Sequence, residues 1–410
     1  MADPVVAIIG AGQGGFQAAS SLRQEGFGGR VLLLGDEPVL PYQRPPLSKS
    51  YLAGDSGLDE LWLRPEEFYQ KQRIELVTGA KAAAIDRRGR CLRLAEGGEI
   101  GFDYLVLATG ARNRPLPVPG ADLDGVLGLR TLADTDLLRD RLVDARDVVV
   151  IGAGFIGLEF ASVAIAAGAA VRIVELTPHP MGRVVSPPVS QFYADAHRRW
   201  GAELLLGTGV ARIIGDNGRV TGVETGDGRR LPADLVLVCI GVVPNAELAA
   251  AAGLAIDNGI AVDGLLATAE PAISAIGDCT NFPTRFAPSR VRLESVQNAV
   301  DQARAVAAHI VGKSAPYDKV PWFWSDQGDL KLQIAGLAIG CDDWVVRGDP
   351  QSRSFSVFCY RGGTLVAVES VHRPADHIAA RRMLVGDPRL SPEEAADVSF
   401  DLRAAAARKP

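Results

Sequence analysis

Cysteine is scarce in this sequence. The 410 residues include five cysteines, and the closest two, Cys341 and Cys359, stand 18 positions apart. This spacing excludes a CxxC redox motif and a zinc ribbon, and five cysteines are too few for a disulfide-built fold of this length. We therefore expect reduced thiols and no metal site. Because no basic segment precedes the first apolar run at Val5, we also expect no secretory signal and a cytoplasmic location.

An excess of basic residues is also lacking. Lys and Arg number 43 against 49 Asp and Glu, which gives a formal charge of −6. Nucleic acid is excluded as the main partner, because phosphate binding requires a basic face. Hydrophobic residues make up 47% and charged residues 22%, so the chain is globular, and its length suggests two or three domains.

One long apolar run has the length of a membrane span. Residues 148–171 contain a single charge, Glu159, and are long enough for a transmembrane helix. The run contains four glycines, however, three of them in a GxGxxG turn, and a carboxylate at its centre would be costly in lipid. We interpret the run as a strand, a glycine turn and a helix, and expect no membrane contact.

That run repeats a pattern found at the start of the chain. Each copy has a β-branched strand, a GxGxxG turn, a helical stretch and a second apolar strand that leads to an acid, Asp36 or Glu175. The glycines allow the backbone to approach a pyrophosphate, the helix N-terminus supplies N–H donors, and the acid binds ribose hydroxyls. A single fingerprint is also typical of an ordinary glycine-rich turn, and an ordinary surface acid is the alternative for Glu175. Two complete copies predict two dinucleotides, FAD on the first and NADH on the second, with NADH favoured over NADPH by Glu175.

A third element supports FAD. The strand Ile273–Ile276 ends at Gly277 and Asp278, where a carboxylate can accept hydrogen bonds from flavin-side hydroxyls. A helix is predicted over Ser295–Val311, and its N-terminus would face the flavin pyrimidine, where charge grows on reduction.

The order of these patterns predicts the fold class. We expect an α/β protein with two Rossmann-like dinucleotide-binding domains, one inserted in the other as in glutathione reductase, followed by a C-terminal α+β domain. The FAD domain would comprise 1–112 and 242–321, the NADH domain 113–241 and the C-terminal domain 322–410. Antiparallel strands are predicted at Lys331–Leu337, Ser354–Tyr360 and Thr364–Ser370, with helices near Ala375–Leu384 and Pro392–Ala396.

Two stretches are specific enough to suggest a family. The PYQRPPLSK segment at 41–49 and the PWFWSDQ segment at 321–327, together with RLESVQNA at 292–299, resemble FAD-dependent ferredoxin reductases of bacterial oxygenase systems. These are the putidaredoxin reductase and palustrisredoxin reductase type, and apoptosis-inducing factor is a more distant relative. The resemblance covers the whole chain.

The resemblance and the fingerprints together predict the site residues. FAD would contact Gly10, Gly12, Gly14, Gly15, Asp36, Arg44, Pro45, Lys49, Ala82, Ala108, Thr109, Gly110, Arg130, Asp278, Glu294, Val296 and Trp322. NADH would contact Gly152, Gly154, Phe155, Ile156, Gly157, Glu159, Glu175 and Gly241.

Catalytic roles are implied for three residues. The resemblance implies an ion pair between Lys49 and Glu159 beside the isoalloxazine, with Trp322 packed near the ring; without it, the two charges would be taken for unrelated surface groups. The sequence departs from many relatives at Gly328, where they carry an aromatic residue.

The cysteine pattern bears on the electron acceptor. None lies in Pro41–Leu52, the region in which many two-dinucleotide flavoproteins carry a redox cysteine, so electrons must pass to an external carrier. The resemblance implies a [2Fe-2S] ferredoxin that supplies a haem-thiolate monooxygenase or a Rieske-type oxygenase. A redox-sensing flavoprotein and an NADH oxidase or peroxidase are the alternatives, and we expect a monomer or weak dimer.

A docking surface for an acidic ferredoxin is predicted in 285–313. This segment carries five basic residues against Glu294 and Asp301, with Arg304 the principal candidate, although a solvated helix face would look the same. The basic residues are Arg285, Arg290, Arg292, Arg304 and Lys313.

Overall fold

The structure is a computed structural model that describes residues 3–386 and 388–407. Its helices are α1 Gln13–Gln24, α2 Ser50–Ala53, α3 Glu66–Lys71, α4 Leu132–Leu142, α5 Phe155–Ala166, α6 Pro187–Arg199, α7 Glu247–Ala251, α8 Val296–Ile310, α9 Pro374–Met383, α10 Pro392–Ala396 and α11 Leu402–Ala406.

The strands are short and numerous. They are β1 Val5–Ile9, β2 Arg30–Leu34, β3 Ile74–Val77, β4 Ala82–Asp86, β5 Cys91–Leu94, β6 Glu99–Gly101, β7 Tyr104–Leu107, β8 Ala111–Asn113, β9 Val126–Leu127, β10 Asp147–Ile151, β11 Ala170–Glu175, β12 Glu203–Leu206, β13 Val210–Asp216, β14 Arg219–Thr225, β15 Arg230–Pro232, β16 Leu235–Val238, β17 Val242–Pro244, β18 Ile260–Ala261, β19 Ile273–Ala275, β20 Thr280–Asn281, β21 Trp322–Gln327, β22 Leu330–Gly336, β23 Asp343–Asp349, β24 Ser354–Arg361 and β25 Thr364–Val371.

The chain divides into two compact units, and the first is discontinuous. Unit 1 takes in residues 3–43, 58–112 and 243–321, and unit 2 takes in 44–57, 113–242 and the chain from 322 onward. The short stretch 44–57, which the predicted division kept in the FAD domain, groups with unit 2. The three-domain division itself stays a prediction.

Unit 1 is built on a parallel sheet. The strand order is β19-β7-β1-β2-β3, so the chain runs outward from β1 to β3 on one side and then continues on the other side at β7. The strands β1 and β2 are continuous apolar runs, as expected for strands covered on both faces. The strand order therefore reverses between β1 and β7, although the strands themselves are parallel. This reversal opens a crevice at the carboxyl ends of β1 and β7, where open α/β sheets bind ligands.

Unit 2 contains a second parallel sheet of the same design. Its order is β12-β11-β10-β16-β9, and the reversal lies between β10 and β16. Residues from one face of this sheet share a core with the antiparallel sheet β13-β14-β15. The buried members of that core are Val149, Ile151, Val174, Leu205, Ile213, Val220, Val223, Leu231, Ala233 and Val236.

The end of the chain adds an antiparallel sheet to unit 2. Its order is β21-β22-β25-β24-β23, and α9 packs on β22 and β25. Glu369 of β25 is fully buried, and its carboxylate accepts hydrogen bonds from the backbone N–H (2.9 Å) and hydroxyl (2.6 Å) of Ser186. This contact fixes the start of α6 against the C-terminal sheet.

The predicted fold class is confirmed: two parallel sheets of the Rossmann type are followed by an α+β region. The predicted helix at Ser295–Val311 is α8, with Ser295 as its N-cap, and the predicted C-terminal strands and helices match β22, β24, β25, α9 and α10. The apolar run 148–171 folds as β10, a glycine turn, α5 and the start of β11. In the described part of the chain, no helix is long and apolar enough to cross a membrane.

Candidate active site

Two glycines of the first turn, Gly10 and Gly15, are packed too tightly for any other residue. Gly10 has φ +105°, and a Cβ there would lie 2.1 Å from the carbonyl oxygen of Ala108. A Cβ on Gly15 would lie 1.9 Å from the Gly10 carbonyl oxygen. These contacts bring β1, β7 and α1 together at the crevice of unit 1.

Gly12 is different, because a Cβ at this position would meet nothing within 4 Å. It is the N-cap of α1, and no side chain caps the helix there. The N–H groups of the first helical turn therefore have no capping side chain as acceptor, and the positive end of the helix dipole lies at the same place. This cradle fits the pyrophosphate of a dinucleotide.

Unit 2 repeats this arrangement. Gly152 has φ +102°, a Cβ on it would lie 2.3 Å from the Cys239 carbonyl oxygen, and a Cβ on Gly157 would lie 2.2 Å from the Gly152 carbonyl oxygen. Gly154, the N-cap of α5, again has nothing within 4 Å of a Cβ. The repeat in the sequence is therefore a repeat in geometry, and unit 2 also fits a pyrophosphate.

Most of the other predicted FAD residues of unit 1 lie on turns. Asp36 is exposed and directly follows Gly35, whose Cβ position lies 2.7 Å from Ala11 in the glycine turn. The Thr109 hydroxyl donates to the Asn245 carbonyl oxygen (2.6 Å), and the Asn245 side-chain amide donates to the Thr109 carbonyl oxygen (2.9 Å). Gly14 packs on Ile276 and Ala299, Gly110 has φ +66°, and Ala82 begins β4.

The remaining unit 1 residues lie near the start of α8. Asp278 is half-buried in a 3-10 turn, and its carbonyl oxygen accepts from Arg292 (3.2 Å), which also pairs with Glu294 (2.6 Å). Val296 is the first residue of α8, so its N–H has no acceptor within the helix.

Glu175 lies at the end of β11 beside the second glycine turn. One carboxylate oxygen accepts from the Ala153 backbone N–H (2.8 Å), and the other accepts from the Thr177 N–H (2.8 Å) and hydroxyl (2.7 Å). Arg172 of the same strand pairs with Asp147 (2.7 Å), at the opposite end of β10. The acid is thus fixed at the turn, and Arg172 is directed away from it.

Lys49 and Glu159 form the ion pair that the resemblance implied. Lys49 Nζ lies 2.7 Å from Glu159 Oε2, and Glu159 is 3% exposed. The Ser48 hydroxyl also donates to Oε2 (2.5 Å), and the Ser325 hydroxyl donates to Oε1 (2.6 Å). Charge-assisted hydrogen bonds to both oxygens compensate for the removal of this carboxylate from water.

The sequence analysis did not predict that the hydroxyls of Ser48 and Ser325 bind Glu159. It also did not predict the two buried side chains that continue the hydrogen-bond chain beyond Ser325. The Gln327 side-chain amide donates to the Ser325 hydroxyl (3.3 Å), and its carbonyl oxygen lies 3.0 Å from His197 Nε2. Ser325 and Gln327 lie two residues apart in β21 and are fully buried, as is His197 in α6. In WFWSDQ three polar residues follow three aromatic ones, and the spacing of Ser325 and Gln327, which places both side chains on one face of a strand, was the available signal.

Segment 44–57 is fixed in unit 2 by contacts with α4. The Tyr51 hydroxyl donates to Asp136 (2.7 Å), and Arg44 donates to the carbonyl oxygen of Arg130 (2.5 Å). Arg130 precedes a capping box in which Thr131 and Asp134 bond each other's backbone. Pro45 opens the 3-10 turn Pro45–Ser48 that leads to Lys49.

Aromatic residues surround β21 in unit 2. Phe155, the first residue of α5, packs on Phe323 with 4.6 Å between ring centroids. Trp322 packs on Trp324, with 5.6 Å between ring centroids, and the Arg381 guanidinium lies 4.7 Å from the centroid of the Trp322 ring.

The two remaining predicted NADH residues are Ile156 and Gly241. Ile156 lies in the first turn of α5, and Gly241 has φ +94°.

Comparisons with known proteins agree with this geometry. A model of the pyridine nucleotide-disulphide oxidoreductases matches residues 4–303, and a reductase C-terminal model matches residues 322–406. The chain belongs to the pyridine nucleotide-disulphide oxidoreductase family. It is an FAD-dependent oxidoreductase that uses NAD(P)H.

Relatives are similar to this family member over its full length. It is 51% identical to rhodocoxin reductase of Rhodococcus erythropolis over 98% of this chain and 94% of the relative. Its fold matches the ferredoxin reductase for the CYP199A2 system of Rhodopseudomonas palustris, with TM-score 0.97, 53% identity, and coverage of 99% and 100%. It also matches a covalent putidaredoxin reductase–putidaredoxin complex, with TM-score 0.96, 40% identity, and coverage of 100% of both chains.

This member of the family has no disulphide. All five cysteines lie in the described part of the chain and are free thiols. Desolvation raises the pKa of Cys239 to about 12 and also raises the pKa of Cys279, the thiol next to Asp278. Thiols of this kind are poor nucleophiles near neutral pH.

The predicted basic docking segment is more neutral than its sequence suggests. Within unit 1, Arg285 pairs with Asp318 (2.8 Å) and Lys313 with Glu25 (2.7 Å), acids that lie outside the segment. Arg290 is bound to the carbonyl oxygens of Val262 and Asn281. The Arg304 side chain remains 60% exposed and lies 3.4 Å from Asp301.

We predict that Lys49 and Glu159 are energetically coupled. The substitution Lys49→Met leaves a buried carboxylate without its cation and lowers the free energy of unfolding by about 3 kcal/mol. Adding Glu159→Gln restores at least about 1 kcal/mol, because the uncompensated charge is removed. Urea unfolding with saturating FAD measures both changes.

An exposed pair provides the control for this cycle. Arg93 and Glu99 lie 3.0 Å apart with about 60% of each side chain exposed, and Arg93→Met changes the stability by less than about 1 kcal/mol. If the effects of Lys49→Met and Glu159→Gln on the free energy of unfolding are additive, the two residues are not coupled.

Proposed function

We propose that this protein transfers electrons from NADH, through FAD, to a [2Fe-2S] ferredoxin that supplies a haem-thiolate monooxygenase or a Rieske-type oxygenase. The names of its relatives support the proposal: rhodocoxin reductase, the ferredoxin reductase for the CYP199A2 system, and a reductase solved in covalent complex with putidaredoxin.

The observation that carries the proposal is the state of the thiols. A two-electron donor and a flavin need an acceptor, and a family member with no disulphide and desolvated thiols offers none of its own. The acceptor is therefore external, and the names of the relatives, which are ferredoxin reductases or are bound to putidaredoxin, favour a one-electron carrier. Five free thiols also favour the cytoplasm, a reducing compartment, as the location.

FAD is assigned to the glycine cradle of unit 1. The FAD contacts predicted at Arg44, Pro45, Lys49, Arg130 and Trp322, which belong to unit 2, stay predictions. Gly12 leaves room for the FAD pyrophosphate, Asp36 accepts from the adenosine ribose, and Asp278 accepts from hydroxyls on the flavin side. The N–H of Val296 and the dipole of α8 favour negative charge on the flavin pyrimidine. Ala82, Ala108–Gly110 and Glu294 complete this assignment.

NADH is assigned to unit 2. Gly154 leaves room for the pyrophosphate, and Glu175 accepts from the 2′- and 3′-hydroxyls of the adenosine ribose. A carboxylate repels a 2′-phosphate, and Arg172 is engaged with Asp147 at the other end of the sheet, so NADH is preferred over NADPH. Gly152, Phe155–Gly157, Glu159 and Gly241 complete the assignment.

Lys49 supplies positive charge at the reacting end of the site. When bound, FAD would supply the redox chemistry, which is acceptance of a hydride and release of single electrons. Lys49 favours the arrival of negative charge, and Glu159 keeps its ammonium ordered in a poorly solvated place. Neither residue has to exchange a proton for this role.

We predict that the two glycine cradles bind different cofactors. Gly12→Ala leaves the apoprotein as stable as wild type, because φ is −79° and a Cβ meets no protein atom, but it weakens FAD binding at least about tenfold by filling the pyrophosphate site. The matched Gly154→Ala retains FAD and raises KM for NADH by a similar factor. Titration of the apoprotein with FAD and steady-state kinetics with NADH distinguish the two variants. If Gly154→Ala weakens FAD binding and Gly12→Ala raises KM for NADH, the assignment of the two cofactors is reversed.

We predict that Glu175 determines the choice of nicotinamide. Wild type uses NADH with a kcat/KM at least about tenfold above that for NADPH, and Glu175→Arg reverses the order by replacing repulsion of the 2′-phosphate with attraction. Glu203→Arg, an equal charge change elsewhere in unit 2, leaves the ratio unchanged. A wild type that prefers NADPH contradicts this role.

We predict that electron delivery depends on a ferredoxin and on Arg304. NADH-driven cytochrome c reduction requires added [2Fe-2S] ferredoxin, and Arg304→Glu raises KM for the ferredoxin several-fold at low salt, an effect that about 0.5 M salt removes. Arg93→Glu, equally exposed, has no effect. Efficient peroxide removal by the purified protein would instead favour an oxidase or a peroxidase. Very slow turnover together with a long-lived reduced complex would favour a redox sensor.

A further inference from the structure

A chain of buried polar side chains in unit 2 leads from Glu159 to His197. Ser325, Gln327 and His197 are each 0% exposed. Successive groups lie within hydrogen-bond distance: 2.6 Å from Ser325 Oγ to Glu159 Oε1, 3.3 Å from Gln327 Nε2 to Ser325 Oγ, and 3.0 Å from His197 Nε2 to Gln327 Oε1. Buried polar groups that are linked in this way act as a unit.

The tautomer of His197 sets the direction of the whole chain. Its Nδ1 has no hydrogen-bond partner among the described residues, so a proton there would be a buried donor left unsatisfied. The proton therefore belongs on Nε2 and is donated to Gln327 Oε1. The Gln327 amide must then point its N–H group at the Ser325 hydroxyl, whose own proton is left for Glu159.

The opposite tautomer would undo this order. With the proton on Nδ1, Nε2 becomes an acceptor, the Gln327 amide turns over, and the Ser325 hydroxyl donates to Gln327. Glu159 Oε1 would then lose its donor. Burial lowers the pKa of His197 to about 4, so the ring is neutral near pH 7 and carries a single proton.

We propose that His197, Gln327 and Ser325 are positioning residues that hold Glu159 in the orientation in which Oε2 meets Lys49. Ser325 occupies Oε1, which leaves Oε2 for the Lys49 ammonium and the Ser48 hydroxyl. His197 acts through two other side chains and touches no reacting atom. This inference rests on the proposed role of the Lys49–Glu159 pair, which is to favour the transfer of electrons from NADH to the flavin.

The first experiment observes the tautomer directly. The chain has five histidines, so ¹⁵N-histidine labelling of the oxidised holoenzyme gives few signals, and comparison with His197→Gln assigns that of His197. We expect a neutral ring protonated on Nε2 from about pH 5.5 to pH 8. A proton on Nδ1, or an imidazolium in this range, would overturn the proposal.

The second experiment measures reduction of the bound flavin by NADH in a stopped-flow instrument. Ser325→Ala slows the first-order step about tenfold with little change in the NADH dissociation constant, because a hydrogen bond to a charged group is lost. Ser325→Thr keeps the hydroxyl and restores the rate to within about threefold. His197→Phe slows the step several-fold, and His197→Gln, which keeps a donor, restores it.

Ser356 provides the control for burial and for loss of stability. It is a fully buried serine of β24 whose hydroxyl donates to Asp376 (3.0 Å), with no link to Glu159, and Ser356→Ala leaves the step unchanged. If Ser325→Ala and His197→Phe reduce at the wild-type rate while Glu159→Gln is slow, the positioning chain is wrong and the proposed function stands. If Glu159→Gln and Lys49→Met are also unaffected, the role of the ion pair fails with it.

Discussion

Much of unit 2 depends on the burial of one carboxylate. Glu159 lies in a strongly apolar helix and is 3% exposed, which would be strongly unfavourable if it were alone. Helix α5 carries this carboxylate, and two other elements of the unit present donors to it: the turn with Ser48 and Lys49, and the strand β21 with Ser325. Helix α6 is linked to Ser325 through Gln327. Their arrangement is constrained because the donors must reach the same two oxygen atoms.

The two glycine turns express a second constraint, which is steric. In both units the first and third glycines lie where a Cβ would collide with a backbone carbonyl oxygen, while the middle glycine faces open space. The first and third are therefore required by the packing of strand and helix. The middle one is not required by the fold, and the proposal that each cradle holds a dinucleotide pyrophosphate supplies a reason for it.

The sequence was sufficient for the fold because its signals are local. The strand–GxGxxG–helix pattern, the serine N-cap of α8 and the runs of β-branched and aromatic residues in β24 and β25 each act within a few residues. The stretch 44–57 was harder to place. Its contacts with α4 join residues more than 80 positions apart, as in the hydrogen bond from Tyr51 to Asp136. No periodicity in the sequence indicates a partner at such a distance. The charge of the segment 285–313 was likewise overstated, because Asp318 and Glu25 lie outside it.

The sequence by itself determined the two dinucleotide folds, the family resemblance and the lack of an internal thiol acceptor, since these depend on residue type and short spacing. Only the tertiary structure decided which side chains surround Glu159. Ser48, Ser325, Gln327 and His197 are separated by up to about 280 positions and look ordinary one at a time. They matter because a buried carboxylate must find its hydrogen-bond donors wherever the packed chain brings them, and that choice is made by the fold.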